Sequence, residues 1–309
     1  MCAFQKWITE SIAVIDTEAL GEPEVVAAYL VRGKENALVD MGYRSSAESI
    51  IKDLSELGIG NEDLHYLLPT HVHLDHSGFC GTLAHSFPGA SVRVHPKGQP
   101  HLSDPTRLVR SAGEVFGKDQ VQRFGLPDPI DNKRLRGILD DEQVALGGGV
   151  TLRAIWTPGH APHHLSYLLE ETGALFTGDA VGVFYPAAPV LIPTSPPPSF
   201  NMEKAVASLE RLRRLSPTQL LTPHFGLLRN ADERIGQNVN ALLDWRDRLD
   251  KLISAKSPID EIVTAFTNET GEAAKASSAS LPEFVRTTVR VSVLGFLAYE
   301  QWKSEQAPP

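Results

Sequence analysis

The sequence predicts an α+β protein in which two β-sheets pack face to face with helices on the outside. Residues 12–95 and 143–222 are each rich in short β-type segments, and each of these blocks contains helical patterns as well. Residues from 231 to about 303 are helical in pattern. A sheet with an apolar face must bury it, and two such sheets in one chain can bury theirs against each other.

The elements of the first half are punctuated clearly. Apolar β-type runs, separated by glycine and charged residues, occur at 12–15, 25–31 and 37–39. A helix with apolar residues on one stripe then ends at Gly58. Strands are predicted at 65–70 and 91–95, with a short helix after Gly78 between them.

The second half continues in the same manner. Strands are predicted at 150–156, 166–169, 174–177 and 219–222, and a hairpin turn over residues 170–173 joins two of them. Six prolines between Pro186 and Pro198 indicate an extended loop, and a helix follows over 202–215.

This pattern predicts a domain over residues 1–230 and a helical region over residues 231–309. Residues 97–135 combine helical patterns, many charges and the turn sequence Gly125-Leu-Pro-Asp-Pro129, which favours an insertion or a lid over the site. The apolar segment from Val289 to Phe296 suits a cap over the active site, a homodimer interface, or both.

Composition excludes several classes of protein. The formal net charge is −9, and both nucleic acid and anionic membranes need clustered cations, so we expect neither as a partner. Two cysteines cannot form a disulfide framework, and Cys80 is expected to be a small buried side chain. With no apolar run typical of a signal peptide or a membrane span, we expect a cytoplasmic protein.

The strongest functional signal is the sequence Thr70-His-Val-His-Leu-Asp-His-Ser-Gly78. Side chains two apart in extended backbone point the same way, so His71 and His73 form one pair, and the adjacent Asp75 and His76 turn elsewhere. One short loop can therefore supply two ligands to each of two neighbouring metal ions.

Further candidate ligands follow three of the predicted strands. His160 ends the sequence Thr-Pro-Gly-His, Asp179 ends Phe-Thr-Gly-Asp, and His224 ends Leu-Thr-Pro-His. Loops at the edge of a rigid sheet are where metal-binding and catalytic residues usually lie. The repetition of this layout predicts a shared metal site.

This series of residues resembles the metallo-β-lactamase fold superfamily of binuclear metallohydrolases. The family pattern is His-x-His-x-Asp-His, then a His after a Pro-Gly turn, an Asp and a final His, and all of these positions are present in order. The resemblance spans residues 40–224 and implies an αββα sandwich of two mixed β-sheets, followed here by the helical region.

The resemblance also implies the role of each residue. His71, His73 and His160 would hold one divalent ion, Asp75, His76 and His224 a second, and Asp179 would bridge them. Asp75 would also orient the nucleophilic water or take its proton. Asp40, which closes a predicted strand, would orient a ligand.

Four further residues lie close in sequence to His160 or to Asp179. His164 would lie either next to the metal ligands without binding metal itself or near the leaving group, whereas we expect His163 at the surface. Phe184 and Tyr185, soon after Asp179, suit either the substrate pocket or ordinary packing equally.

The implied activity is that of a binuclear metal-dependent hydrolase, in which a hydroxide bridging the metals cleaves an ester, thioester or lactone of a small molecule. Zinc is the first expectation for the metal, with iron and manganese as alternatives. Asp179 distinguishes the chain from true β-lactamases, and Pro223-His-Phe-Gly226 departs from the glyoxalase II pattern.

Three other functions remain open. The first is phosphodiester or nucleic-acid hydrolysis, although residues 251–309 carry six Lys or Arg against seven Asp or Glu and show no basic run. The second is a sulfur dioxygenase with a single iron. The third is a metal-bound sensor without catalysis. The substrate itself is not predicted.

Overall fold

The computed structural model describes residues 6–185, 190–275 and 282–306. These residues form two compact units. The first comprises the described residues within Met1–Trp156, His163–Gly178 and Thr218–Leu228. The second comprises the described residues within Thr157–Pro162, Asp179–Pro217 and Arg229–Pro309.

The first unit contains two six-stranded mixed sheets. The strands of the first sheet, in spatial order, are β1 (Ile12–Asp16), β2 (Ala27–Val31), β3 (Asn36–Val39), β4 (Leu64–Leu68), β5 (Ser91–Val94) and β6 (Leu135–Gly137). Strands β1 to β3 pair antiparallel, and β3 to β6 pair parallel.

The second sheet lies wholly within the same unit. Its strands are β7 (Gln143–Gly147), β8 (Val150–Trp156), β9 (Leu165–Leu169), β10 (Ala174–Phe176), β13 (Gln219–Thr222) and β14 (Gly226–Leu228). They lie side by side in this order, from β7 at one edge of the sheet to β14 at the other. Only β10 and β13 pair in parallel. The strands β11 (Val183–Phe184) and β12 (Leu191–Ile192) form a separate small ribbon in the second unit.

The two sheets share one apolar core. Alternate side chains of both sheets are buried between them, among them Tyr29 of β2 and Phe176 of β10, whose rings meet edge to face at 5.5 Å. Period-two alternation along a strand places every second residue on the inner face. A second cluster joins the outer face of the first sheet to helices α1 (Ala47–Glu56) and α3 (Cys80–Ser86).

The remaining helices of the first unit are short. They are α2 (Leu74–Ser77), α4 (Gln99–Ser103), α5 (Thr106–Phe116) and α6 (Lys118–Phe124). The last three lie within the segment predicted as an insertion or lid. None of the described residues of α5 is fully buried, although the helix is amphipathic. The role of a lid stays a prediction.

The second unit is mainly helical. It contains α7 (Met202–Arg214), α8 (Ala231–Ser254), α9 (Ile259–Lys275) and α10 (Glu283–Gln306). Buried aromatic rings join the last three of these helices: the ring of Trp245 on α8 lies 4.6 Å from that of Phe266 on α9 and 6.2 Å from that of Phe296 on α10. Within the described residues, no helix is long and apolar enough to cross a membrane.

The predicted fold class is confirmed, with two packed mixed sheets, helices and a helical C-terminal region. The sequence did not predict β6, β7, β14 or the ribbon of β11 and β12. All of these except β7 have only two or three residues, which carry too few side chains to show alternation. Residues 186–189 of the predicted loop lie outside the described residues. Domain boundaries and dimerisation stay predictions.

Candidate metal centre

The histidine-rich motif lies on the turn after β4 and on the short helix α2. His71 and His76 are fully buried, and His73 and Asp75 are partly exposed. The backbone N–H of His76 donates to the carbonyl of His73, which closes the helical turn directly after that residue. Asp75 and His76 therefore leave the extended stretch that carries His71 and His73.

Asp40 lies directly after β3 and is buried. Its carboxylate accepts hydrogen bonds from the Thr70 backbone N–H at 2.8 Å, from the Thr70 hydroxyl at 3.0 Å and from Nδ1 of His76 at 3.0 Å. Because a carboxylate only accepts, His76 holds its proton on Nδ1 and has its lone pair on Nε2. This is the geometry that a positioning role for Asp40 requires, and the role itself stays a prediction.

His71 and His73 face each other across a short gap. Nε2 of His71 lies 2.9 Å from Nδ1 of His73, and the Thr70 hydroxyl lies 3.1 Å from Nδ1 of His71. The two imidazoles therefore present nitrogen atoms to a common point, in the manner of two ligands of one metal ion.

His224 enters the same unit on the turn between β13 and β14. Its Nδ1 donates to the carbonyl of Val25 at 3.2 Å, and its Nε2 lies 3.6 Å from Oδ2 of Asp75. A histidine that binds metal usually donates its other ring N–H to a carbonyl or a carboxylate in this way.

The strand before His224 is tied to the opposite sheet. The hydroxyl of Tyr29 on β2 donates to the carbonyl of Thr222 at 2.6 Å, and the backbone N–H of Ala27 donates to the carbonyl of Pro223 at 2.7 Å. Burial raises the pKa of Tyr29, so its hydroxyl stays protonated and remains a donor. The position of His224 thus depends on the core between the sheets.

Asp75, His76 and His224 form a cluster whose chemistry fits a divalent ion. Nε2 of each histidine lies 3.6 Å from Oδ2 of Asp75, and the three ligand atoms all lie within 4.8 Å of one another. Two imidazole nitrogens and one carboxylate oxygen are ligands that Zn, Fe and Mn all accept.

The second unit brings together the other two predicted ligands, His160 and Asp179. Nε2 of His160 lies 3.5 Å from Oδ2 of Asp179. Nδ1 of His160 donates to the carbonyl of Thr194 at 3.2 Å, so its lone pair is on Nε2. Both residues are buried.

The turn that carries His160 is fixed against α7. The hydroxyl of Ser208 donates to the carbonyl of Pro158 at 2.6 Å, and the backbone N–H of Asn201 donates to the carbonyl of Gly159 at 2.8 Å. Gly159 has a φ of +142°, and a Cβ there would overlap the backbone of Ala205. Glycine is therefore required at this contact.

A small cavity in the second unit lies beside both ligands. It is large enough for about one water molecule. Its lining includes apolar side chains and the polar side chains of Thr157, Thr194, Ser208 and Asn238.

His164 and His163 are both buried in the first unit. The ring of His164 lies 5.0 Å from that of His71, and its role near the leaving group stays a prediction. The expected surface position of His163 is wrong: its ring lies 6.1 Å from that of His73. Burial first, then the charges of neighbouring histidines, hold the pKa of His163 well below its usual value.

Phe184 and Tyr185 make packing contacts in the second unit. The guanidinium of Arg234 lies 4.6 Å above the Phe184 ring, and the Tyr185 ring lies 6.4 Å from that of Phe284. These contacts leave both interpretations open, so a role in the substrate pocket stays a prediction.

Sequence reasoning missed the residues that hold the ligands. Thr70 precedes the motif directly, so its position after a strand was an available signal. Thr194 and Ser208 gave no such signal. Thr194 lies 34 residues after His160, on a loop of irregular composition. Ser208 lies 50 residues after Pro158, which is on the turn that Ser208 holds.

A family model described as the metallo-beta-lactamase superfamily matches residues 21–224, a stretch that includes every predicted ligand. The chain belongs to the metallo-beta-lactamase superfamily. A relative in Sulfurisphaera tokodaii, the metallo-beta-lactamase fold-containing protein ST1585, is 32% identical over 210 residues, which cover 67% of this chain and 75% of the relative.

Solved structures of the superfamily share this fold. The crystal structure of ST1585 aligns with a TM-score of 0.65 at 28% identity, covering 76% of this chain and 87% of that one. The metallo-beta-lactamase family protein TTHA1429 from Thermus thermophilus aligns with a TM-score of 0.68 at 23% identity over 96% of this chain and 95% of its own. At that identity, the second match shows the fold alone.

Two more distant superfamily relatives have names that state an activity. An atrochrysone carboxyl ACP thioesterase of Aspergillus fumigatus is 31% identical over 150 residues, 48% of this chain and 37% of the relative. An N-acyl homoserine lactonase, AttM of Azorhizobium caulinodans, is 28% identical over 180 residues, 57% of this chain and 64% of the relative.

Proposed function

We propose that this member of the superfamily is a binuclear metal-dependent hydrolase that cleaves an ester, thioester or lactone of a small molecule. The observation that carries the proposal is the cluster of Asp75, His76 and His224, in which one carboxylate oxygen lies 3.6 Å from a nitrogen of each of two buried imidazoles. Nδ1 of His76 donates to Asp40 and Nδ1 of His224 donates to the carbonyl of Val25. Metal-binding histidines usually donate their other ring N–H in this way.

The proposed ligand sets follow the family pattern. His71, His73 and His160 would hold one ion, and the cluster of Asp75, His76 and His224 would hold the other. Asp179 would bridge the two ions. Zinc is the proposed metal, since it accepts imidazole and carboxylate ligands alike.

A pair of bound divalent ions would supply an acidified water and polarise the scissile carbonyl. The chain's own residues then have separate tasks. Asp40 keeps the proton of His76 on Nδ1, and Asp75, whose side chain is 21% exposed, can take a proton from a water that reaches the site. His164, fully buried beside His71, is proposed to lie next to the leaving group.

Carbonyl substrates are favoured over phosphodiesters for two reasons. Two of the relatives are named as a thioesterase and a lactonase, and thioesters and lactones are both cleaved at a carbonyl carbon. The chain has a net charge of −9, which repels polyanionic nucleic acid rather than attracting it.

The test measures metal content and substrate range on the same preparation. Plasma mass spectrometry should find close to two zinc ions per chain. A panel should then show hydrolysis of an acyl thioester, a p-nitrophenyl ester or an acyl homoserine lactone. Treatment with a chelator should remove this activity, and zinc should restore it.

Each other outcome identifies a competing function. Turnover of bis-p-nitrophenyl phosphate alone would replace the proposal with a phosphodiesterase. One tightly held iron with oxygen uptake would replace it with a dioxygenase. Two bound metals without turnover of any substrate class would favour a sensor.

A further inference from the structure

We infer that Thr194 is a positioning residue for the two predicted ligands of the second unit, and that helix α10 holds Thr194 in place. The inference rests on the proposed function, because it assigns the metal ligands of that function to His160 and Asp179. It gives the C-terminal helix a task that neither a cap over the site nor a dimer interface requires.

Thr194 contacts both ligands by separate groups. Its carbonyl accepts from Nδ1 of His160 at 3.2 Å, and its hydroxyl donates to the backbone carbonyl of Asp179. The first contact selects the tautomer of His160 that has its lone pair on Nε2, the nitrogen that lies 3.5 Å from Asp179. The second contact holds the backbone of Asp179.

The residue after Thr194 is attached to α10. The hydroxyl of Ser195 donates to the carbonyl of Ser292 at 3.0 Å, and Ser195 is fully buried. A Cβ on Gly295, one turn further along α10, would overlap the carbonyl oxygen of Ser195. Only glycine lets the loop approach the helix this closely.

Aromatic packing extends the attachment. The ring of Phe200, at the end of the same loop, lies 4.9 Å from that of Phe296 and 5.8 Å from that of Tyr299, both on α10. The loop is therefore held to α10 at its middle and at its end. A displacement of α10 would move Thr194 and with it both contacts to the ligands.

The first test compares two substitutions at Thr194. Thr194→Val keeps the shape and removes the hydroxyl, whereas Thr194→Ser keeps the hydroxyl. Zinc affinity is measured by competition with a chromophoric chelator. We expect Thr194→Val to weaken zinc binding about 10-fold, as for other groups that hold a metal ligand, and Thr194→Ser to stay within about 2-fold of the natural protein. Equal affinities for the natural protein and the Val variant would overturn the inference.

The second test addresses the helix. Gly295→Ala should weaken zinc binding by displacing the Ser195 carbonyl. The matched control is Gly271→Ala on α9, where a Cβ would meet nothing within 4 Å, and it should leave zinc binding unchanged. If Gly295→Ala folds and binds zinc as tightly as Gly271→Ala, α10 does not hold the loop.

A third measurement needs no metal and covers the case in which Gly295→Ala fails to fold. Nitrogen-15 NMR of the metal-free natural protein should find the His160 proton on Nδ1. A proton on Nε2 would overturn the inference. Failure of the proposed function can be distinguished from failure of this inference. The first would show as absent turnover in the natural protein, and the second as equal zinc affinities of the natural protein and the Thr194→Val variant.

Discussion

The carboxylate of Asp40 accepts a hydrogen bond from Nδ1 of His76 across 3.0 Å, and both side chains are buried. The same carboxylate accepts two hydrogen bonds from Thr70. One side chain at the end of β3 thus organises the start of the motif and one of its ligands.

Asp40→Asn should therefore weaken metal binding while keeping the fold. Asn can still accept a hydrogen bond from Thr70, but it no longer presents a carboxylate to His76. We expect the zinc affinity to fall by roughly 10- to 100-fold, as is usual when the partner of a metal-binding histidine is lost. Asp141→Asn is the control, because Asp141 also has a positive φ, 61° against 54° for Asp40, but lies at the surface. Equal zinc affinities for the two variants would contradict the role assigned to Asp40.

Asp179→Ala should lower the metal content to one ion or none per chain and abolish hydrolysis, because the substitution removes the proposed bridge. Plasma mass spectrometry and the substrate panel give the two readouts. Asp250→Ala, at an exposed position on α8, should change neither. A variant at position 179 that still held two ions would show that the bridge is assigned to the wrong residue.

Gly178→Ala should destabilise the protein more than Gly58→Ala does. Both glycines have positive φ, +49° and +80°, so both substitutions carry backbone strain. At Gly178, however, the new methyl would lie 2.5 Å from Nε2 of His164 and 2.9 Å from Cβ of Thr70, whereas at Gly58 it would meet nothing within 4 Å. We expect a difference of about 1–3 kcal/mol in the free energy of unfolding, measured by urea denaturation. Identical values would mean that His164 moves away freely.

Cys80 should not react with a thiol reagent in the folded protein. It is fully buried, and burial raises the pKa of its thiol, so the reactive thiolate is scarce. In a Cys2→Ser variant, Cys80 is the remaining thiol of the chain, and Ellman's reagent should report it only after denaturation. Rapid labelling of the native variant would show that α3 opens readily.

The sequence was most informative where side chains and spacing agree. The strands of 150–156 and 219–222 were predicted with their bounds, because each is a run of mainly apolar and β-branched residues followed directly by turn residues. The ligand motif was visible because its residue types are rare and lie close together on one turn. Cys80 was correctly expected to be buried.

Contacts between distant parts of the chain could not be predicted. His163 was expected at the surface because its polarity is visible in the sequence, while the histidine neighbours that surround it are not. Thr194 holds a ligand 34 residues earlier, and neither its residue type nor its proline-rich surroundings point to that pairing. Such contacts depend on tertiary packing, which a single sequence does not record.

The hydrogen bond from Tyr29 to the carbonyl of Thr222 has a consequence for laboratory evolution. It joins β2 of one sheet to β13 of the other, two residues before His224. Selection for altered substrate range should thus recover substitutions on β2, far along the chain from the motif, since a change in core packing there can shift a ligand without touching it. Mutant libraries confined to the lining of the site would miss this route.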